Sequence, residues 1–396
     1  MTAGLDYTNY STTMMKRKIA FIGLGQISGE HLKGIRLLNQ HHGSTVLELS
    51  AVVDPFPDRA EAWVTTQLGE AGPKPVMLDD YRRLLEAPHR PDVVSILVPH
   101  HLHLEIARPF LQAGIGVQMQ KPIGLAIRDG QELIGVAQQH RAPLVVSEPS
   151  VLGRGHRRQI DWIASGRELG RPTLLVDQAV IDLRGGYFMT PWRHLKGMAG
   201  AGWFIDHGVH RTHWMLETLG PCETAFAQTR QIEATRTNDR WGSLPVDTED
   251  LATAVLRFKS GALAQFTVMS GGRGKGHGLV QLYGTKGSWN GKFTPSGQDR
   301  EQDPSYPDAC LDIPEDSFAH SYEELLRRVE WWDAPVIGSP ERGLEAEAVI
   351  YACLESAHTG AVVRVEDMLN GKANRYEETV WQARRELADL PWQRLT

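Results

Sequence analysis

From Lys18 onward, short apolar runs alternate with stretches whose apolar residues recur at helical spacing. Residues 19–23, 49–54, 93–98, 117–120 and 144–147 read as strands. Residues 28–39, 58–68, 102–113 and 128–140 read as the helices between them. The run at 93–98 is almost continuously apolar, as a strand buried on both faces should be. This repeated alternation predicts a doubly wound parallel sheet.

The pattern changes after Glu148-Pro149. Strand patterns now fall close together, at 173–181, 252–258, 262–270 and 278–283, and helical ones lie at 209–219, 321–332 and 340–358. Phe258-Lys259-Ser260-Gly261-Ala262 reads as a hairpin turn. Residues 298–316 are rich in Pro and Asp and read as a loop. A C-terminal α+β domain with a large open, mostly antiparallel sheet is expected. The division is a loose tail over 1–15, a nucleotide-binding domain over 16–148, and a substrate and oligomerisation domain over 149–396. An open sheet face left bare is a liability, so a homodimer or homotetramer through that sheet is expected.

At 396 residues, two domains are the natural prior. The net charge of −6 and the lack of a basic cluster larger than Lys16-Arg17-Lys18 argue against a nucleic-acid surface. No apolar run approaches the ~20 residues that span a bilayer. Lys16-Arg17-Lys18 before Ile19-Ala20-Phe21-Ile22 imitates the start of a signal peptide, but the apolar part ends at Gly23. Met14 or Met15 is a plausible alternative start. Three scattered cysteines, Cys222, Cys310 and Cys353, fit a reducing, cytoplasmic setting and no thiolate metal site.

The chemistry begins at Gly23-Leu24-Gly25-Gln26-Ile27-Ser28, a GxGxxS turn between a strand and a helix. Gly23 permits the tight turn, Gly25 lets backbone approach a pyrophosphate, and Gln26 and Ile27 lead into the helix N-terminus. Asp54 closes the next strand, where an acid accepts bonds from ribose hydroxyls and disfavours a 2′-phosphate. That context predicts a Rossmann domain that prefers NAD to NADP, with Arg59 near enough to moderate the preference. Lys121 follows an apolar strand in Gln120-Lys121-Pro122. Asp206 and His210 are four apart, one turn on a common helix face. Hydride leaves a carbinol carbon only if the hydroxyl proton leaves too. Histidine suits that proton, and a lysine cation suits the developing oxyanion. Tyr187, Trp192, Arg193 and Trp203 are candidates for facing a polyol. His207, His210 and His213 lack an established metal-ligand spacing, so no metal is expected.

From Lys18 to about Asp367 the chain resembles the Gfo/Idh/MocA family (glucose–fructose oxidoreductase, inositol dehydrogenase and relatives). The resemblance rests on the GLGQIS turn, Asp54, Pro99 with His103, Gln120-Lys121-Pro122, Trp192-Arg193, Gly200 and Gly202 before Asp206-His207-Gly208-Val209-His210, and Tyr283-Gly284-Thr285-Lys286-Gly287. It implies that Lys121 contacts both the nicotinamide and the substrate hydroxyl, that His210 is the acid/base, and that Asp206 orients substrate and histidine. It further implies that Pro99, His103 and Gln120 adjoin the cofactor. The family has glutamate where this chain has Gln120. Loss of that acid is expected to favour an uncharged Lys121.

The expected function is therefore NAD-dependent hydride transfer at a ring hydroxyl of a sugar, cyclitol or glycoside, with a small polyol as the partner. Two other readings use the same residues. One is a glycosidase that works by transient oxidation and elimination, recognisable by free sugar released without net NADH. The other is a non-catalytic NAD-binding sensor, which measurable turnover excludes.

Overall fold

A computed structural model describes residues 14–69, 74–183, 190–238, 242–307 and 312–387. The first part of the chain forms β1 (Arg17–Ile22), α1 (Ser28–His41), β2 (Leu47–Val53), α2 (Pro57–Leu68), β3 (Val76–Leu78), β4 (Val93–Ile96), α3 (His103–Gln112), β5 (Gly116–Gln120), α4 (Ile127–His140) and β6 (Leu144–Ser147). The six strands pair in parallel in the order β3-β2-β1-β4-β5-β6. This is the expected doubly wound sheet. The chain departs to opposite sides of β1, and the carboxyl ends of β1 and β4 part to leave a crevice there. Strand β3 was not anticipated: it has three residues, and Val76 and Met77 are exposed, so no apolar run marks it.

The rest of the chain adds α5 (Arg154–Ser165), β7 (Pro172–Val180), α6 (Lys196–Ala199), α7 (Trp203–Asp206), α8 (Gly208–Leu219), β8 (Cys222–Arg230), β9 (Thr235–Asn238), β10 (Gly242–Pro245), β11 (Leu251–Phe258), β12 (Leu263–Met269), β13 (His277–Gly284), β14 (Gly287–Trp289), β15 (Phe293–Pro295), α9 (Ser317–Glu330), α10 (Pro340–Thr359), β16 (Val363–Arg364), α11 (Val365–Leu369) and α12 (Arg375–Glu386). Strands β9 and β10 form a separate hairpin, and the other eight make one sheet in the order β15-β14-β13-β7-β12-β11-β8-β16. Every neighbour pair is antiparallel except β7 with β12. The β11–β12 hairpin turns where Gly261 takes a φ of 87°. In β11, Ala252, Ala254, Leu256 and Phe258 are buried while Thr253, Val255 and Arg257 alternate outward. One sheet face packs on helices, chiefly α10, and the other carries Leu174, Phe226, Val255, Leu263 and Tyr283 exposed.

Two helices join the halves. Helix α9 returns to the first sheet, where Ala319, Tyr322, Leu325 and Leu326 pack with Ile19, Phe21 and Val145. It begins four residues before the sequence-based expectation because the Asp316 carboxylate caps it, accepting from the N–H groups of Phe318 and Ala319. Helix α10 is buried nearly all round and touches α4 and β6 on one side and α8 and β8 on the other. A helix apolar on every side is the mark of such a central position.

Candidate active site

A cleft of about 1230 Å³ opens along the carboxyl edge of the first sheet and is closed on its far side by residues from the second half. At one end lies the glycine turn. Gly23 has a φ of 91°, and a Cβ there would stand 2.6 Å from the Leu97 carbonyl oxygen, so only glycine fits. A Cβ on Gly25 would meet nothing within 4 Å, because that side faces the open cleft. Ser28, in the place of a third glycine, braces the turn: its Oγ donates to the Gly25 carbonyl at 2.6 Å and accepts from Trp63 Nε1 at 2.7 Å. Helix α1 has no side-chain N-cap, so its positive end and amide donors face an incoming anion.

Asp54, at the end of β2, accepts from the Leu24 N–H at 3.2 Å and the Phe56 N–H at 3.0 Å. Its carboxylate is 3.5 Å from Arg59, which also lies over the Phe56 ring. Gly23, Gly25, Gln26, Ile27, Asp54, Arg59, Pro99, Gln120 and Lys121 all line the cleft. These residues fit a dinucleotide: an open glycine backbone, an uncapped helix start and an acid after the second strand. His103 is a correction. It is fully buried behind the cleft wall, with its ring nitrogens 3.0 Å from the Pro122 and Val98 carbonyls, and burial pulls its pKa down to about 4. His100 lines the wall instead.

At the other end, the sheet edge presents Lys121 directly after β5. Its Nζ donates to Asp206 Oδ1 at 2.9 Å and to the Asp206 carbonyl at 2.5 Å, and Arg193 Nε reaches Asp206 Oδ2 at 3.3 Å. Burial pushes the Asp206 carboxyl up, but the Lys121 ammonium and then Arg193 override it and hold the group well below the usual carboxylate range. Arg193 lies over the Trp192 ring at 4.5 Å, and His100 meets that ring edge-on at 4.8 Å.

Asp206 and His210 do not share one helix, contrary to the expectation. Asp206 ends α7, His207 is the cap residue between α7 and α8, and His210 lies in the first turn of α8. Both side chains still line the cleft. The group that holds the His210 ring is Glu148, whose Oε1 takes His210 Nδ1, rather than Asp206. Sequence reasoning missed Glu148. It follows β6 just as Lys121 follows β5 and Asp54 follows β2, and that shared place at the carboxyl edge was the available signal. Burial pushes the Glu148 carboxyl up, but the charge and hydrogen bond of His210 pull it down to about 2.

Gln120 also departs from expectation. Its Oε1 accepts from the Lys121 N–H at 2.8 Å and its Nε2 lies 3.3 Å from His31 Nε2, so it does not serve the Lys121 ammonium, whose acid is Asp206. His31 Nδ1 is 2.9 Å from Tyr322 Oη, which donates to Ser95 Oγ; Ser95 donates to Gln118, and Gln118 donates to Ser321 in α9. Burial lowers the His31 pKa to about 3, so the imidazole is neutral. Trp203 is a second correction: it is buried, stacked on His207 at 4.5 Å, and absent from the cleft wall, whereas Trp192 and Arg193 line it. Tyr187 lies outside the described residues. Among the described residues no cluster of His, Cys, Asp and Glu is placed to hold a metal ion, and no helix is long and apolar enough to cross a membrane.

Comparison with known proteins agrees with this arrangement. Residues 17–148 match the model of an oxidoreductase family with an NAD-binding Rossmann fold, and residues 158–290 match the GFO/IDH/MocA C-terminal domain. An uncharacterised oxidoreductase of Synechocystis is 27% identical over 291 residues, covering 68% of this chain and 70% of that protein. A 1,5-anhydro-D-fructose reductase of Ensifer adhaerens is 28% identical over 179 residues, 44% of this chain and 49% of that protein. A levoglucosan dehydrogenase, solved with NADH and levoglucosan, superposes with a TM-score of 0.75 at 19% identity, over 89% of this chain and all of that one (100%).

Proposed function

We propose, for a chain that belongs to the Gfo/Idh/MocA family of NAD-binding oxidoreductases, hydride transfer between NAD and a ring hydroxyl of a sugar, cyclitol or glycoside. The observation that carries the reading is one cleft wall: Lys121 ion-paired to Asp206, and His210 held by Glu148, on the same cleft as the Gly23–Gly25 turn. Bound NAD would supply the hydride acceptor for oxidation and the donor for reduction. Gly23, Gly25, Gln26, Ile27, Asp54, Arg59, Pro99 and Gln120 would hold it, and Asp54 favours NAD over NADP.

The chain's own groups do the rest. With Nδ1 engaged by Glu148, His210 keeps Nε2 to take the hydroxyl proton. Lys121 and Arg193 stabilise negative charge on the substrate oxygen. Asp206 holds both cations in place and accepts bonds from neighbouring hydroxyls. Trp192 offers an aromatic surface for the C–H face of a ring. The carbohydrate substrates in the names of the reductase and the dehydrogenase above support this substrate class. A photometric screen for NADH formation with sugars, inositols and glycosides tests the proposal. Turnover on at least one is expected, and NAD binding with no turnover across the panel would instead favour a sensor.

The same reading places a second copy of this chain on the bare sheet face. Leu174 pairs across strands with Leu263 and with Tyr283, and Phe226 with Val255, which makes two apolar groups on that face. Identical faces close in pairs about a two-fold axis. Val255→Lys is expected to turn a dimer or tetramer into smaller species in light scattering; a wild-type monomer would refute the interface. The free, buried Cys222 and Cys353 suit a cytoplasmic location.

A further inference from the structure

Glu148, buried behind His210 of the cleft wall, is the strongest unassigned feature near the site. Its carboxylate is 1% exposed, and Oε2 is buried without a protein hydrogen-bond partner among the described residues. A carboxylate in such a place is expensive to bury unless a cation or strong donors answer it. The donors converge on Oε1: His210 Nδ1, the Ser150 N–H at 3.1 Å and Ser150 Oγ at 2.9 Å. The single Ser150 hydroxyl hydrogen is shared between that oxygen and the His210 carbonyl, 2.8 Å away, so with its N–H on Glu148 one residue can brace both the acid and the helix turn that carries the histidine. Asp206, the acid of the cleft wall beside His210, is engaged with Lys121 and Arg193.

A carboxylate only accepts hydrogen bonds. The ring nitrogen facing it must therefore carry the hydrogen. We infer that Glu148 is the positioning residue of His210, fixing its neutral imidazole as the Nδ1–H tautomer and leaving Nε2 as the proton acceptor. The idea rests on the reading of His210 as proton carrier only for its kinetic part. The tautomer is a property of the resting protein.

The direct test is 15N NMR of the imidazoles in the labelled full chain at alkaline pH, with His210 assigned by its loss in His210→Asn. Hydrogen on Nδ1 is expected; hydrogen on Nε2 overturns the inference. In Glu148→Gln the carboxamide can donate as well as accept, so a mixture of tautomers is expected. Its kcat is expected to fall about 10²-fold with little change in KM, within the range of one acid–base contribution. In a His210→Asn background the same change is expected to cost nothing more, and an equal loss there would refute action through His210. Should Glu148→Gln fail to fold, Ser150→Ala is expected to shift the tautomer the same way by a smaller amount, and an unmoved tautomer counts against the brace. A fully active His210→Asn beside an intact Nδ1–H tautomer in the wild type would sink the proton-carrier role and uphold the Glu148 assignment.

Discussion

Lys121 Nζ lies 2.9 Å from Asp206 Oδ1, tying the carboxyl edge of the first sheet to the short helix that opens the second wall of the cleft. The pair keeps an ammonium at the point where ligands meet such sheets, and keeps it oriented by a carboxylate that Arg193 also holds. Lys121→Ala is expected to lower turnover by about 10²-fold, the scale of one lost electrostatic contact to the transition state. Calorimetry should find NAD binding within a few-fold of wild type. Normal turnover would remove Lys121 from the mechanism.

Asp54 has two jobs, and its substitution separates them. Asp54→Ala should narrow the preference for NAD over NADP and also leave the Leu24 and Phe56 N–H groups without their acceptor. The second effect is expected to cost about 1–3 kcal/mol in urea unfolding. Asp54→Asn keeps one of the two acceptor oxygens, since Leu24 uses Oδ2 and Phe56 uses Oδ1, so it should recover part of that stability. Equal stability of the two variants would show that the backbone bonds do not matter.

Restoring the family's acid in Gln120→Glu should act on stability more than on the Lys121 charge. Gln120 Nε2 faces a neutral, buried His31 nitrogen, and a carboxylate has no hydrogen to offer it. A loss of about 1–3 kcal/mol is expected, the cost of leaving a buried acceptor unmatched. Unfolding midpoints that coincide with wild type would mean that the Gln120–His31 contact contributes nothing.

His31 also gives a signed pH dependence. Its folded pKa, about 3, is below the ordinary 6.5, because burial penalises the charged ring. On unfolding below pH 6.5 it therefore takes up a proton, and the folded state loses stability as pH falls from there toward 3. His31→Gln removes that loss. Wild type should be the more stable protein above pH 6.5, and its advantage should shrink steadily on acidification. An advantage constant with pH would mean that the ring is not neutral in the folded state.

What the sequence makes legible follows strand ends. Asp54 and Lys121 stand out because each closes an apolar run in a strand–helix series. Glu148 does the same after β6, but beside Pro149 it reads as a boundary between domains. Strand β8 hides because Ala225 and Ala227 fill its buried face and give almost no hydrophobic alternation. The four-residue spacing of Asp206 and His210 imitates a single helix, and nothing local announces the helix boundary at His207. Trp203 and His103 show the opposite failure. Their residue types suit a ligand, yet the core uses both, and only tertiary packing decides between those fates. The partner of Gln120 lies 89 positions away in α1, beyond any local pattern.

Hydride transfer as proposed moves a carbon-bound hydrogen of a polyol to NAD in this cleft. The most direct measurement mixes the full chain and NAD with ring-deuterated sugars, cyclitols and glycosides and reads deuterium in the reduced nicotinamide by mass spectrometry. Deuterium from at least one polyol is expected, with transfer slowed about 10²-fold in Lys121→Ala. NAD that binds tightly yet acquires no deuterium from any of them would rule out hydride transfer from a polyol in this cleft.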